Sequence, residues 1–387
     1  MEAHSFVLLI LLITTISLLI QGLVATNLKD DEKLTLQNRL DILNKPATKS
    51  FVTKYGDIVD CVDIHKQPAF DHRSLKYHSL QVKPSFKLSK SRKLAGLRPE
   101  ILPKNMRCPR GTVPIIRRTK MENNLVNKFT PILGTTTTNI PNSVGGHDVA
   151  GVGTIGINQG LSGKINVWNP KVKADQYSST CIYVASEHAG DTDVIQAGWL
   201  VSPLVYPNST ETRLYGYWTS TGGKSTGCYD TSCPGFVQTS TTVHLGQVLT
   251  SVSTRDGQQQ FIDLDLQKDN TTNNWWLHYG GDPVGYWPAE LFTALQSAAT
   301  RVGWGGEVFG PPTEVNAEMG SGYLAHDKGY GHVCIMTNLW MYPSHYFPKP
   351  EALNLLMTTP DFYNVIHGNN GDQMQDFIYF GGPKKDQ

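Results

Sequence analysis

Residues 194–201, VIQAGWLV, and residues 213–218, RLYGYW, are short apolar runs between turn-forming residues. β-Branched and aromatic side chains dominate both runs, as is typical of strands. Similar runs recur from His147 to the C-terminus, at residues 164–168, 181–185, 236–244, 260–266, 274–279, 332–341 and 377–380. Many strands at close spacing predict an all-β domain, either an antiparallel two-sheet β-sandwich or a barrel.

One helix is predicted inside this domain. Residues 288–302, PAELFTALQSAATRV, place Pro288 in a first turn and Leu291, Leu295 and Ala298 on one helical face. Proline is favoured at the start of a helix because its missing N–H has no intrahelical partner there.

The chain before the β-rich domain is predicted to be a basic pro-region of mixed structure. Leucines at helical spacing in residues 30–45 predict a helix ending at Pro46, and residues 52–64 predict a strand. Residues 73–128 hold 15 Lys and Arg against 2 Asp and Glu, a net charge of +13. Residues 129–387 hold 12 against 22, a net charge of −10. This asymmetry favours docking of the pro-region on the acidic domain over a solvated tail or a nucleic-acid arm.

A linker separates the pro-region, residues 26–128, from the domain at residues 147–387. Residues 129–146, FTPILGTTTTNIPNSVGG, are uncharged and rich in Thr, Gly and Pro. This composition predicts an exposed segment that contains the processing site, with Pro131 and Pro141 as candidates.

The N-terminus predicts the compartment. Residues 6–25 are apolar and uncharged and end in small residues, which is typical of a secretory signal spanning residues 1–25. Residues 1–5 lack Lys and Arg, and 20 apolar residues can also span a bilayer, so an uncleaved anchor is the alternative. We expect a secreted, extracellular protein with no stable membrane association once the signal is cleaved.

The chain has six cysteines, in a compartment where disulfides persist: Cys61, Cys108, Cys181, Cys228, Cys233 and Cys334. Cys228 and Cys233, in TGCYDTSCPG, are close enough to close one loop. Cys61 and Cys108 can pair within the pro-region, which would leave the other two to pair by elimination; six cysteines allow 15 connectivities. Sequons at Asn208 and Asn270 predict glycosylated surface loops.

Familiar catalytic and metal motifs do not fit this chain. Gly223 to Gly227 matches G-x-S-x-G, but the match lies in a polar loop with no helix pattern after it. Glu187, His188 and His332 are candidate metal ligands but are not spaced as a known site, and no C-x-x-C pair is present. We therefore expect no metal and no other cofactor.

Glu307 is the carboxylate with the most unusual surroundings. It follows Trp304, Gly305 and Gly306, so it is a candidate general acid or base in a partly apolar place, against the alternative of an exposed strand-end carboxylate.

Six blocks in fixed order resemble the neprosin-type glutamic peptidase domain, a mostly plant family: IQAGW, GYW, TGCYDTSCPGFVQT, GYWPAELF, WGGEVF and EMGSGY. Residues 56–72, GDIVDCVDIHKQPAFDH, and residues 108–119, CPRGTVPIIRRT, resemble blocks of the family's activation peptide. The resemblance covers roughly residues 35–120 and 147–383.

The resemblance implies a two-sheet sandwich with two glutamates facing each other across a cleft. The WGGE motif places one at Glu307, but the other family position, in I-E-A-G-W, holds Gln196 here. Cys181 and Tyr183 also depart from the Gln and Trp common in the family. A separate fungal group, the eqolisins, is known for a Gln/Glu pair; by that analogy Glu307 activates water and Gln196 stabilises the oxyanion.

Two functions follow from the resemblance. The first is a secreted, acid-acting, post-proline endopeptidase that cuts a peptide or protein substrate and is held latent by its own pro-region. The alternative is a catalytically inactive relative that binds peptide or cell-wall polymer, because an amide cannot relay a proton as a carboxyl does.

Overall fold

The computed structural model describes residues 37–38, 40–87, 106–119, 130–135, 146–207, 209–311, 316–327, 329–343, 353–369 and 376–383. The chain divides into two compact units, residues 1–44 with 118–123, and residues 45–117 with 124–387. In the first unit the described residues between 37 and 43 are helical, which agrees with the predicted helix. The Asn44 side chain there exchanges hydrogen bonds of 2.8 and 2.9 Å with the Arg118 main chain.

The described residues of the second unit form 17 strands: β1 Ala47–Val52, β2 Ile58–Asp63, β3 Thr112–Ile116, β4 His147–Asn166, β5 Tyr177–His188, β6 Asp191–Val201, β7 Arg213–Thr219, β8 Cys228–Tyr229, β9 Val237–Gln238, β10 Phe261–Lys268, β11 Trp275–Tyr279, β12 Asp282–Trp287, β13 Ala299–Phe309, β14 Cys334–Pro343, β15 Asn354–Met357, β16 Asn364–Asn369 and β17 Asp376–Gly381. Short 3₁₀ helices cover Pro68–Asp71, Arg73–Leu75 and Ala289–Leu291.

Strands β1, β2 and β3 form a three-stranded antiparallel sheet within the pro-region. A disulfide joins Cys61 on β2 to Cys108 just before β3. The two cysteines are 47 residues apart in the sequence. The disulfide therefore constrains the unfolded chain and stabilises the small sheet.

The other 14 strands form one antiparallel sheet that folds over into two layers. The 20-residue β4 belongs to both layers, because its first half pairs with β13 and its second half pairs with β10 and β14. Tryptophans from both layers share the apolar core between them: Trp199, Trp218, Trp275, Trp287 and Trp304. The predicted all-β antiparallel sandwich is confirmed.

The helix predicted for residues 288–302 is wrong. Only Ala289–Leu291 is helical, as a single 3₁₀ turn, and β13 begins at Ala299. Asp193 explains the difference, since its Oδ2 accepts hydrogen bonds of 2.6 to 3.0 Å from the N–H groups of residues 293–295. These N–H groups therefore have a partner outside the segment, and the helical hydrogen bonds are not formed.

The predicted leader, residues 1–25, lies outside the described residues. Among the residues that the structure describes, no helix is both long and apolar enough to cross a membrane.

Candidate active site

Strand alternation places Glu307 and Gln196 on the same face of one layer. In β13, Trp304 and Val308 point into the core, so Glu307 points to the opposite face. In β6, Ile195 and Ala197 point into the core, so Gln196 also faces away from it. Both polar side chains are only 1% exposed, which means that something covers this face.

The Glu307 carboxylate accepts four hydrogen bonds. Its Oε1 lies 2.7 Å from the Tyr177 hydroxyl, 2.8 Å from His147 Nδ1 and 2.9 Å from the Ile132 main-chain N–H. Its Oε2 lies 2.9 Å from the Leu133 main-chain N–H. Three of these contacts are to Oε1 and one is to Oε2, and two of the four come from main-chain N–H groups of the linker.

Gln196 meets the same linker residue. Its Nε2 donates to the Leu133 carbonyl oxygen at 2.6 Å, and its Oε1 accepts from the Tyr215 hydroxyl at 3.1 Å. The structure therefore brings the two predicted site residues together on one residue: Glu307 takes the N–H of Leu133, and Gln196 takes its C=O.

The linker that was predicted to be exposed is buried where the structure describes it. Leu133 is 1% exposed, and Gly134 has φ +95°, a conformation that favours glycine. A β-carbon at Gly134 would lie 2.9 Å from the Tyr183 ring. The segment packs closely in the cleft because Gly134 leaves room for the Tyr183 ring. Residues 130–135 therefore cover the site.

The tyrosines of the cleft are uncharged hydrogen-bond donors. Burial, reinforced by the charge of Glu307, raises the pKa of Tyr177 well above its ordinary value. Burial is also the main cause that raises the pKa of Tyr215 and Tyr229. These phenols therefore stay protonated in acid and at neutral pH, and they can donate to Glu307 and Gln196 throughout that range.

The pro-region also contacts the second layer, far along the sequence from the linker. Asp269 accepts hydrogen bonds from Gln81 Nε2 and from the Ser85 N–H, both at 2.7 Å, and from the Ser85 hydroxyl. His78 lies 2.9 Å from the Tyr286 hydroxyl. On the side of the pro-region the groups that contact Asp269 are uncharged, while the basic residues of segments 88–105 and 120–129 lie outside the described ranges. Electrostatic docking by those residues stays a prediction.

Cysteines fall into two disulfides and two thiols. The structure joins Cys228 to Cys233, closing the loop between β8 and β9. Cys181 and Cys334 are free and buried, so the pairing by elimination is wrong. They cannot meet, because Cys181 packs in the cluster on the cleft face whereas Cys334 packs in the core between the layers.

The remaining predicted positions lie apart from the site. Asn270 is exposed in a turn, and Asn208 lies outside the described residues, so glycosylation stays a prediction at both. Glu187 pairs with Arg301 at 2.9 Å and His332 with Asp256 at 3.1 Å. In the described part of the chain no three acidic, His or Cys side chains form a metal-binding group.

Sequence reasoning missed His147 and Tyr177. In the sheet register both residues stand opposite Phe309, from β4 and β5 on either side of β13. Phe309 is two residues beyond Glu307 and therefore on the same face, so the two side chains reach Glu307 diagonally. Only the pairing of three strands that are distant in sequence reveals this contact.

Comparison with known proteins identifies the family of the chain. A family model described as Neprosin matches residues 174–383, and one described as Neprosin activation peptide matches residues 50–144. A crystal structure of scytalido-glutamic peptidase with a transition-state-analogue inhibitor is 10% identical, with a TM-score of 0.33 over 61% of this chain and 98% of that one. The κ-carrageenase of Pseudoalteromonas carrageenovora, solved with an oligosaccharide, is 12% identical, with a TM-score of 0.24 over 59% of this chain and 66% of that one. The two family models decide the assignment: this chain belongs to the neprosin family and carries the family's activation peptide ahead of its neprosin domain.

Proposed function

We propose that the chain is the secreted precursor of an acid-acting glutamic endopeptidase that uses Glu307 and Gln196. The observation that carries the proposal is their shared contact with Leu133. The linker peptide lies across the site with an N–H on the carboxylate and a C=O on the amide, so the two side chains can hold a peptide backbone between them.

The proposed reaction has two steps. Glu307 takes a proton from water, and the hydroxide oxygen bonds to the carbonyl carbon of the substrate. Gln196 Nε2 donates to the oxygen that becomes negative, a contribution of about 3 kcal/mol if it resembles other oxyanion donors. Glu307 then passes its proton to the departing nitrogen as the C–N bond breaks, releasing an acid and an amine.

The pro-region supplies the proposed latency. Residues 130–135 donate one N–H to each oxygen of Glu307, including the described hydrogen bond to Oε2, so the linker stands where the attacking water would bind. Cleavage after proline is proposed from the family resemblance; in the precursor, the nitrogen that follows Pro131 donates to Oε1 at 2.9 Å.

The test is cleavage of a proline-containing peptide by the processed protein at about pH 3 to 5, where ordinary glutamates titrate. Wild type should cleave and Glu307→Gln should not. Glu187→Gln is the matched control, because its exposed carboxylate pairs with Arg301 away from the cleft. A wild-type protein that binds the peptide without cutting it would favour the inactive, binding relative instead.

A further inference from the structure

The two oxygens of the Glu307 carboxylate have different partners. Oε1 lies 2.7 Å from the Tyr177 hydroxyl and 2.8 Å from His147 Nδ1, both in the folded domain, and it also accepts from the Ile132 N–H of the linker at 2.9 Å. Those two groups also lie 3.2 Å from each other, and both residues are at most 6% exposed. Oε2 takes its hydrogen bond from Leu133 of the linker. Removal of the linker therefore frees Oε2 while Oε1 stays anchored.

We infer that His147 and Tyr177 are positioning residues for the proposed reaction: they anchor Oε1 by hydrogen bonds and leave Oε2 to accept the proton of the attacking water. This inference rests on the proposed function and adds the residues that orient its base.

His147 is the basic side chain that contacts the carboxylate. Of the residues that the structure describes, it is the basic group within ion-pair distance of Glu307. The other titratable groups facing the carboxylate are Tyr177 and, beyond it, Tyr215, Tyr217, Tyr229 and Cys181, whose pKa values burial raises, so they are neutral. Asp148, the next residue on β4, turns away and accepts hydrogen bonds from Asn316, Thr358 and Thr359.

His147 and Tyr177 compensate for the second carboxyl that is missing at Gln196. Where two carboxyls face each other, they share one proton, and this keeps one of them ionised as the base. An amide cannot share a proton in this way. Donors on Oε1 act in the same direction, because hydrogen bonds to a carboxylate favour its ionised form. During the reaction the water proton goes to Oε2 and then to the departing nitrogen, while His147 and Tyr177 keep their own protons on Oε1.

The test is the pH profile of kcat/KM for the processed protein and three variants. His147→Gln removes the imidazole that contacts Oε1, so the acid limb of the profile should move up by about one pH unit or more. Tyr177→Phe loses one neutral donor and should move the limb in the same direction by less. His332→Gln is the matched control, because His332 pairs with Asp256 outside the cleft, and its profile should coincide with that of wild type.

The outcomes separate the inference from the proposed function. A purely structural role would lower the whole profile without moving its acid limb, and that result in His147→Gln overturns the inference. If His147→Gln does not fold, Tyr177→Phe decides alone, because it removes a single hydroxyl and must still move the limb upward. A wild-type protein without activity at any pH overturns the proposed function and the inference with it.

Discussion

Removing the charge of Glu307 should loosen the linker in the full-length precursor. Two N–H groups, of Ile132 and Leu133, donate to the carboxylate at 2.9 Å each. Hydrogen bonds to a charged group contribute about 1.5 to 3 kcal/mol each, against about 1 kcal/mol for neutral pairs. In Glu307→Gln one N–H faces an amide NH₂, which cannot accept, and the other keeps only a neutral acceptor. The expected loss is about 3 kcal/mol, which corresponds to a linker that opens roughly 150 times more often.

Hydrogen exchange at neutral pH measures this opening directly. The amides of Ile132 and Leu133 should lose roughly two orders of magnitude of protection in Glu307→Gln, because exchange follows the open fraction. In Glu187→Gln, whose exposed carboxylate lies outside the cleft, both amides should exchange as in wild type. Equal protection in Glu307→Gln and wild type would refute the view that the carboxylate holds the linker.

Three further predictions concern the precursor. Burial lowers the pKa of His278 to about 4 from an ordinary 6.5, so folding opposes its protonation, and the precursor should lose up to about 3 kcal/mol of stability as pH falls from 6.5 to 4. Asp265, 3.9 Å from the His278 ring, offsets part of this loss; urea unfolding across that range should show a flatter dependence in His278→Gln, and parallel curves would refute the effect. Burial raises the pKa of Asp269, but hydrogen bonds from Ser85 and Gln81 outweigh burial, so the net shift is downward. The ionised Asp269 therefore favours docking of the pro-region at any pH above its ordinary pKa, and docking weakens as the pH falls through its lowered pKa. Asp269→Asn should therefore weaken docking already at neutral pH, seen as faster exchange of the Ser85 amide. Acid incubation of the precursor should cut within residues 129–146, and mass spectrometry that finds no new N-terminus there would contradict this.

Local pattern predicted the strands that are short apolar runs between turn residues. Residues 194–201 and 213–218 lie within β6 and β7, and their apolar runs are buried as expected. The pattern did not predict β4, in which glycines interrupt the apolar residues. This strand runs from His147 to Asn166, but its sequence HDVAGVGTIGINQGLSGKIN has too few large apolar residues to predict one long strand. The helical spacing at residues 288–302 misled because Asp193, about a hundred residues earlier, takes the N–H groups that a helix would use.

The site was predictable in part. Side chains of a strand alternate between its two faces, so a polar residue next to core residues lies on the outer face. Gln196 and Glu307 both follow this rule. The motif alone does not show that His147 and Tyr177 hold Glu307, because that contact depends on the register of β4 and β5 against β13. Nor does an uncharged, Thr-rich composition show that residues 130–135 are buried; the cleft that receives them is formed by strands later in the chain.

The central claim is that Gln196 and Glu307 form an adapted pair rather than the remains of a two-glutamate site. The measurement that tests it most directly is kcat/KM on a proline-containing peptide in acid for wild type beside Gln196→Glu. If Gln196 is the oxyanion donor and His147 with Tyr177 keeps Glu307 ionised, wild type cleaves and Gln196→Glu gains little or loses activity. An inactive wild type that gains activity in Gln196→Glu would contradict the account and show that the site had decayed.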